Sequence, residues 1–487
     1  MSKPDFQRTE YDFLGSRQIP GEALFGLQSL RAAENFPYSD RFHEEWYRAM
    51  GWVKLACYQT IGKFFDAIDK KKFTKKVPIR IMNREKLTAL EKAASEVAEG
   101  KHFSSFIVPA TQGGAGTSIN MNVNEIIVNR ALQIIGLNPG DYTQLHPIED
   151  ANLYQSTNDV VPTALRMAMM ALLRDAEDSI NKLRAEIERL EVESRNMLRI
   201  GHTQMQEAVP SSYGRLFGAY SEALSRDWWR ISKCFERIKT INLGGGAIGT
   251  ATSVPRFFLM EASRQLQQIT GLPATRSENL ADSTMNLDPL VEVHAILKAH
   301  AVNLEKMASD LRLLASDFTF PNDISIPARQ IGSTIMPGKV NPVIAEFVIS
   351  AAHKVYANDQ LITQLSAQGC LDLNAYIPSI GHAILESQKL LLAADKSITD
   401  NLLKGLTLNP EPALKRLFMS PAVTTALSPY IGYDKATIMA RKMKTDHLDV
   451  FGANEELQFF DPEELKTLLK PDQLLRAGFT LSDLFNK

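Results

Sequence analysis

The stretch Leu165-Arg-Met-Ala-Met-Met-Ala-Leu-Leu-Arg-Asp-Ala-Glu-Asp-Ser-Ile-Asn-Lys-Leu-Arg-Ala-Glu-Ile-Glu-Arg-Leu190 places Leu165, Met169, Leu172, Ala176, Leu183, Ile187 and Leu190 at steps of three, four and seven. Such positions share one face of a helix. No Gly occurs between Asp141 and Ile200 and no Pro between Pro162 and Pro210, so nothing in the sequence stops that helix early. Two more stretches read the same way. From Leu290 to Phe320, the residues Val293, Leu297, His300, Leu304, Met307, Leu311 and Leu314 step by three and four; the third stretch runs from Val343 to Gln368. All exceed the average helix of about 11–12 residues, and a spacing near 3.5 favours near-parallel packing. The fold class expected is mainly α, with a central bundle of long helices.

Working outward from the bundle, residues 1–150 mix short helical stretches with Gly- and Asn-rich loops and read as a smaller cap domain. Residues 151–404 form the central helical bundle domain. Leu406-Thr-Leu-Asn-Pro410 then breaks the last long helix, leaving residues 405–487 as a small C-terminal helical domain. No strands alternate with helices in a βαβ rhythm, which excludes a doubly wound sheet.

Composition narrows the function. The 487 residues carry 54 Lys+Arg and 56 Asp+Glu, a formal net charge of −2, with 44% hydrophobic and 23% charged residues. That balance is ordinary for a soluble globular protein and lacks the basic footprint of a nucleic-acid binder. No stretch approaches the roughly 20 apolar residues of a membrane span. The N-terminal residues Asp5, Arg8, Glu10 and Asp12 stand where a secretory signal needs an apolar run. Cys57, Cys234 and Cys370 form neither a disulfide framework nor a metal motif, and the nine histidines show no ligand spacing. A cytoplasmic protein without a metal, nucleic-acid or membrane partner is expected.

Four polar segments interrupt the helical background. Gly113-Gly-Ala-Gly-Thr-Ser-Ile-Asn120 combines hydroxyls with flexible backbone. Gln155-Ser-Thr-Asn-Asp159 sits just before the first long helix, where such residues serve either as a plain cap or as an anion site on exposed helix amides. Gly201-His-Thr-Gln-Met-Gln-Glu207 connects two long helices. Gly332-Ser-Thr-Ile-Met-Pro-Gly-Lys-Val-Asn-Pro342 precedes another, and its glycines, hydroxyls and single lysine suit a loop that closes over a carboxylate. By contrast, Gly244-Gly-Gly-Ala-Ile-Gly249 lacks the strand and Lys-Ser/Thr pair of a phosphate loop and reads as close backbone approach to a helix. His300 reads as a packed core histidine, and Lys70-Lys-Lys-Phe-Thr-Lys-Lys76 as a solvated face.

The last of the four segments resembles the GSSxMPxKxNP signature of the aspartase/fumarase superfamily. Gly116-Thr-Ser-Ile-Asn-Met-Asn-Val-Asn-Glu125 and Ser156-Thr-Asn-Asp159 are similar to two further active-site regions of that family, in the same order. Asp12-Phe-Leu-Gly15 and Gly26-Leu-Gln-Ser-Leu-Arg-Ala-Ala-Glu-Asn35 are similar to its N-terminal region. The 113–120 segment and the Ser-Thr-Asn order at 156–158 resemble the aspartase branch more than the fumarase branch. The resemblance implies a homotetramer with active sites built from three subunits, and elimination from a succinyl-type substrate without a cofactor. By position Ser333 matches the catalytic base, with Lys339 beside it. Thr117, Ser156, Thr157, Asn158, Thr203 and Asn341 match substrate-binding positions, as do Thr334 and Gln204 by place.

The chain departs from the family pattern in several places. Thr334 replaces the second loop serine and Gln204 a histidine, with His202 two residues earlier. Ser316-Asp-Phe-Thr-Phe-Pro321 replaces a Ser-Gly-Pro-Arg stretch, and His146-Pro-Ile-Glu149 only half matches a His-Pro-Asn-Asp site. The chemistry implied is proton abstraction beside a carboxylate, with charge spreading onto it as an aci-carboxylate held by preplaced donors. Ammonia leaves without a strong acid, so loss of the histidine harms a deaminase less than a hydratase. The expected reaction is L-aspartate to fumarate and ammonia. A fumarate hydratase, a lyase for another substituted succinate, and a non-catalytic paralogue remain as alternatives.

Overall fold

A computed structural model describes residues 6–71, 77–317 and 323–481. Residues 72–76 of the basic run and 318–321 of the replaced stretch lie outside the described residues. The chain is mainly α. Its helices are α1 (Leu27–Asn35), α2 (Glu44–Lys71), α3 (Arg84–Ala98), α4 (Thr117–Ile134), α5 (Thr157–Glu193), α6 (Tyr213–Ile238), α7 (Arg256–Thr270), α8 (Leu280–Met285), α9 (Asp288–Leu314), α10 (Val343–Ala367) and α11 (Ile377–Ser397). Shorter helices follow: α12 (Pro410–Met419), α13 (Ser428–Asp446), α14 (Val450–Leu457) and α15 (Pro462–Leu468). Strands are short and occur only as two-stranded pairs among the described residues, including hairpins β1 (Gln7–Asp12) with β2 (Gly15–Pro20) and β3 (Leu198–Thr203) with β4 (Gln206–Ser212).

The long-helix readings hold at α5 and α10. The stretch expected to run helical from Leu290 to Phe320 ends at Leu314, where Ala315 N–H still bonds Leu311 O before the chain turns. The cap region departs further from expectation. Its α2 has 28 residues, and the Asn-rich segment expected as loop is α4. Asparagine disfavours helices because its side chain competes for backbone partners. Here those side chains are buried and bonded elsewhere: Asn122 accepts from Ile107 N (2.8 Å), and Asn129 donates to Leu24 O (2.9 Å) and accepts from Gly140 N (2.7 Å).

The chain forms two compact units, and the long helices contribute to both. One comprises Met1–Glu177, Arg230–Lys298 and His353–Leu391; the other Asp178–Trp229, Ala299–Ala352 and Leu392–Lys487. In the first, Trp46, Val53, Ile61, Val123, Leu165 and Met169 are fully buried. Pro162 sits inside α5 and cannot donate to Asn158 O; Asn242 Nδ2 takes that acceptor instead, at 2.9 Å. In the second unit the β3–β4 hairpin packs with the C-terminal helices around Leu198, Ile200, Leu417, Val423, Met439 and Val450. The segment after α11 breaks as read, with Thr407–Leu408 pairing with Ile324–Ser325.

Candidate active site

The predicted site residues fall into two groups, one in each unit. In the first unit, α4 and α5 begin side by side. Thr117 is the first residue of α4 behind Gly116, whose φ is 88°. A Cβ on Gly116 would lie 2.9 Å from Val161 Cγ1 on α5, so only glycine permits this approach. Ser156 and Asp159 cap α5 reciprocally: Asn158 N donates to Ser156 Oγ (3.2 Å) and Ser156 N to Asp159 Oδ1 (3.0 Å). Thr157 Oγ1 accepts from Asn120 Nδ2 (3.2 Å), and Asn158 Nδ2 donates to Ala247 O (2.7 Å).

The triglycine loop supports this helix start. Gly246 N donates to Asp159 Oδ2 at 2.9 Å. Farther along, Gly249 packs on α8, where a Cβ would lie 2.3 Å from Ala281 N. The reading of close backbone approach is correct.

In the second unit, the segment read as a plain connection is the tip of the β3–β4 hairpin. Gln204 and Met205 form its two-residue turn, with φ 53° and 62°. Both central residues in the left-handed region is the twist-matched hairpin turn that favours Asn-Gly. Glutamine and methionine occupy it at a strain cost, of the kind found at functional sites. Thr203 and Gln204 are exposed. His202, the neighbouring histidine, lines a separate small cavity with Arg199, Tyr213, Asp323 and Arg416, so it does not stand in for Gln204.

The signature loop is held closed on itself: Gly332 N donates to Lys339 O (2.8 Å) and Asn341 Nδ2 to Gly332 O (2.7 Å). A Cβ on Gly332 would meet Lys339 O at 2.5 Å, and Gly338 has φ 77°. Inside the loop Ser333 Oγ accepts from Ile335 N (3.2 Å) and Met336 N (3.0 Å). Thr334 and Lys339 are exposed. Lys339, Asn341 and Pro342 line one cavity of about 770 Å³ together with Met205, Arg312 and Ser316. The hairpin tip and the signature loop therefore face the same space.

Sequence reading missed the support beneath the α5 start. Lys54, on α2, is fully buried and donates to Gln155 Oε1 (2.9 Å) and Asn152 Oδ1 (3.2 Å). The available signal was that Lys54 is the only charged residue between Arg48 and Lys63. Burial lowers the Lys54 ammonium to about 7 and raises the Asp159 carboxyl to about 7.

Another arrangement imitates a nucleophile triad: His294 Nε2 lies 2.9 Å from Ser387 Oγ and His294 Nδ1 lies 3.0 Å from Asp359 Oδ1. Ser387 is fully buried, and its hydroxyl donates to Ala383 O at 2.9 Å. With its serine buried and already donating, this network ties α9, α10 and α11 together rather than attacking a substrate. Among the described residues no cluster of three or more His, Cys, Asp or Glu side chains is placed to hold a metal, and no helix is long and apolar enough to cross a membrane.

Comparison with known proteins identifies the family. The lyase family matches residues 15–357, and the fumarase C C-terminus family residues 423–476. The chain is 36% identical to aspartate ammonia-lyase of Bacillus subtilis (strain 168), over 99% of this chain and 98% of that protein. It is 37% identical to aspartate ammonia-lyase of Escherichia coli (strain K12), over 89% of each. Among solved structures, the fumarate lyase:delta crystallin from Brucella melitensis bound to cobalt superposes with a TM-score of 0.89 at 35% identity, covering 97% of this chain and 100% of that one. Class II fumarase from Schistosoma mansoni gives 0.85 at 27% identity, covering 96% and 98%. The chain belongs to the aspartase/fumarase superfamily of lyases.

Proposed function

We propose that the protein eliminates ammonia from L-aspartate to give fumarate, with Ser333 as the base and no cofactor. The observation that carries this reading is the pair of amides on Ser333 Oγ, from Ile335 and Met336. A serine hydroxyl is a poor base in water. Two N–H groups aimed at its oxygen stabilise the alkoxide left when the hydroxyl proton passes to solvent, and the Lys339 charge adds to this once the loop has closed and water is excluded. The alkoxide takes the proton beside the β-carboxylate. The resulting charge spreads onto that carboxylate, which Ser156, Thr157, Asn158 and Thr334 hold as donors beside Thr117, with Asn341 fixing the loop. Ammonia then leaves. The full-length relatives that deaminate aspartate support the choice of substrate.

The same reading divides the chain into a cap (1–150), a bundle (151–404) and a C-terminal domain (405–487), working in the cytoplasm as a homotetramer. Ile331 and Ile335 are each 85% exposed on the signature loop; apolar side chains left open beside a site suit cover by a second copy. The test is to mix the protein with aspartate, malate and larger succinyl amines and follow fumarate absorbance, with light scattering on the same sample. Aspartate turnover by a tetramer, with little from malate, is expected. Rapid malate dehydration with little aspartate deamination would move the assignment to a fumarate hydratase, and a fully active monomer would remove the composite site.

Gln204 provides a sharper check. It can orient a carboxylate or amine by hydrogen bonds, but it carries no charge and transfers no proton. The variant Gln204→His adds a group that titrates near 6.5. It is expected to fold, and either to tighten aspartate binding or to add an ionisation to the pH–rate profile. An unchanged KM and an unchanged profile would place position 204 away from the substrate.

A further inference from the structure

Beneath the start of α5 a partly buried chain of polar side chains links Lys54, which has no catalytic role in the reading above, to Thr157. Lys54 Nζ donates to Asn152 Oδ1. That oxygen also accepts from Asn120 Nδ2 (3.0 Å) and Asn124 Nδ2 (3.2 Å). The other Nδ2 hydrogen of Asn120 reaches Thr157 Oγ1. Asn152 Nδ2 in turn holds Gln155 O at 3.0 Å, and Gln155 Oε1 receives the second Lys54 bond. Between them Tyr154 sits at φ 59°, a conformation that a tyrosine keeps only when its surroundings force it.

The donor count decides what this network does. Thr157 Oγ1 accepts from Asn120, and its one hydroxyl hydrogen is left for whatever else presents an acceptor. Asn120 Oδ1 and Asn124 Oδ1 are buried with no partner among the described residues, and exchanging the oxygen and nitrogen of either amide would break the bonds to Asn152 or Thr157. Burying a lysine ammonium costs several kcal/mol, a cost that joining α2 to a loop does not explain.

We propose that Lys54 is a positioning residue: through Asn152 and Asn120 it orients Thr157 Oγ1 as a donor to a substrate carboxylate, and through Gln155 it holds the strained approach to the Ser156 cap. This rests on the reading of the α5 start as a carboxylate site. In its protonated form Lys54 also sits behind a helix N-terminus, which favours an anion in front of it.

The experiment uses the full-length protein and succinate, a dicarboxylate with no leaving group. Lys54→Met keeps the stem and removes the ammonium. The expected result is succinate affinity lower by about 10- to 100-fold and an aspartate KM raised to match, with kcat falling less, as loss of one hydrogen bond to a charged group implies. Asn120→Ala cuts the link to Thr157 but leaves the Lys54–Gln155 bond, and serves if Lys54→Met does not fold. It should weaken succinate by about tenfold, and combining it with Lys54→Met should add less than the sum of the two. Wild-type succinate affinity in either folded variant would overturn the proposal. Lys54-dependent succinate binding by a protein that releases no fumarate from aspartate would instead support it and remove the aspartate reading, so the two failures are distinct.

Discussion

Ser333→Ala is expected to lower kcat for aspartate by at least about 10²–10⁴, the usual range for loss of a general base, while succinate binding stays within a few-fold of wild type. The argument is local. Ser333 Oγ is the acceptor for the Ile335 and Met336 amides, but the loop does not depend on it. Gly332 N to Lys339 O and Asn341 Nδ2 to Gly332 O close the loop without the hydroxyl. Alanine therefore removes the proton acceptor and leaves Lys339 and Asn341 where they are. Two amides lose a partner, but the loop is open enough for water to replace it. The comparison that decides is kcat against succinate Kd in one preparation. Near-wild-type kcat removes Ser333 from the base role. A parallel loss of succinate binding would mean that the variant has opened the loop instead.

How much of this was legible in the sequence depends on whether the controlling contact is local. The α10 reading, Val343 to Gln368 against an observed Val343–Ala367, succeeded because periodicity and the preceding Asn-Pro both mark its start. The α9 reading ran past Leu314 because Leu313, Leu314 and Ala315 keep the apolar pattern going where the backbone turns. The β3–β4 hairpin could not be read. Gln204-Met205 carries none of the Gly or Asn chemistry of its turn, and register is fixed instead by Leu198 and Ile200 packing among residues more than 200 positions later. The asparagines of α4 misled for the same reason, since their partners at Leu24, Ser105, Ile107 and Gly140 lie outside any local window. The signature loop was legible as a composition, but the two amides on Ser333 are a property of its closure.

His300 shows the same division, and it carries the second large expected effect. Its place on the apolar stripe of α9 correctly implied a core histidine, but not its charge. In the second unit Nδ1 lies 3.0 Å from Asp227 Oδ2 and Nε2 lies 3.0 Å from Asp395 Oδ1, joining α6, α9 and α11. All three side chains are buried, and Asn303 Nδ2 adds bonds to Asp227 at 2.9 and 2.8 Å. Burial alone pulls the imidazole down, yet the two carboxylates outweigh it and raise it from 6.5 to about 10. Because the folded value is above the unfolded one, the stabilisation is complete below about pH 6.5 and is lost as pH rises through about 10. Between those limits the native state holds one more proton than the unfolded chain, so stability falls with rising pH. His300→Leu is close in size but leaves two buried carboxylates facing an apolar group. Removing one partner of a buried ion pair costs about 3–5 kcal/mol, and here a single residue is partner to both. The urea midpoint, measured at one protein concentration because assembly adds to apparent stability, should drop sharply at pH 6.5 in the variant. The gap to wild type should then narrow towards pH 10, where the wild-type imidazole loses its proton. A gap that is small, or constant from pH 6.5 to 10, would mean that His300 is neutral in the native state and that one of the aspartates carries the proton instead.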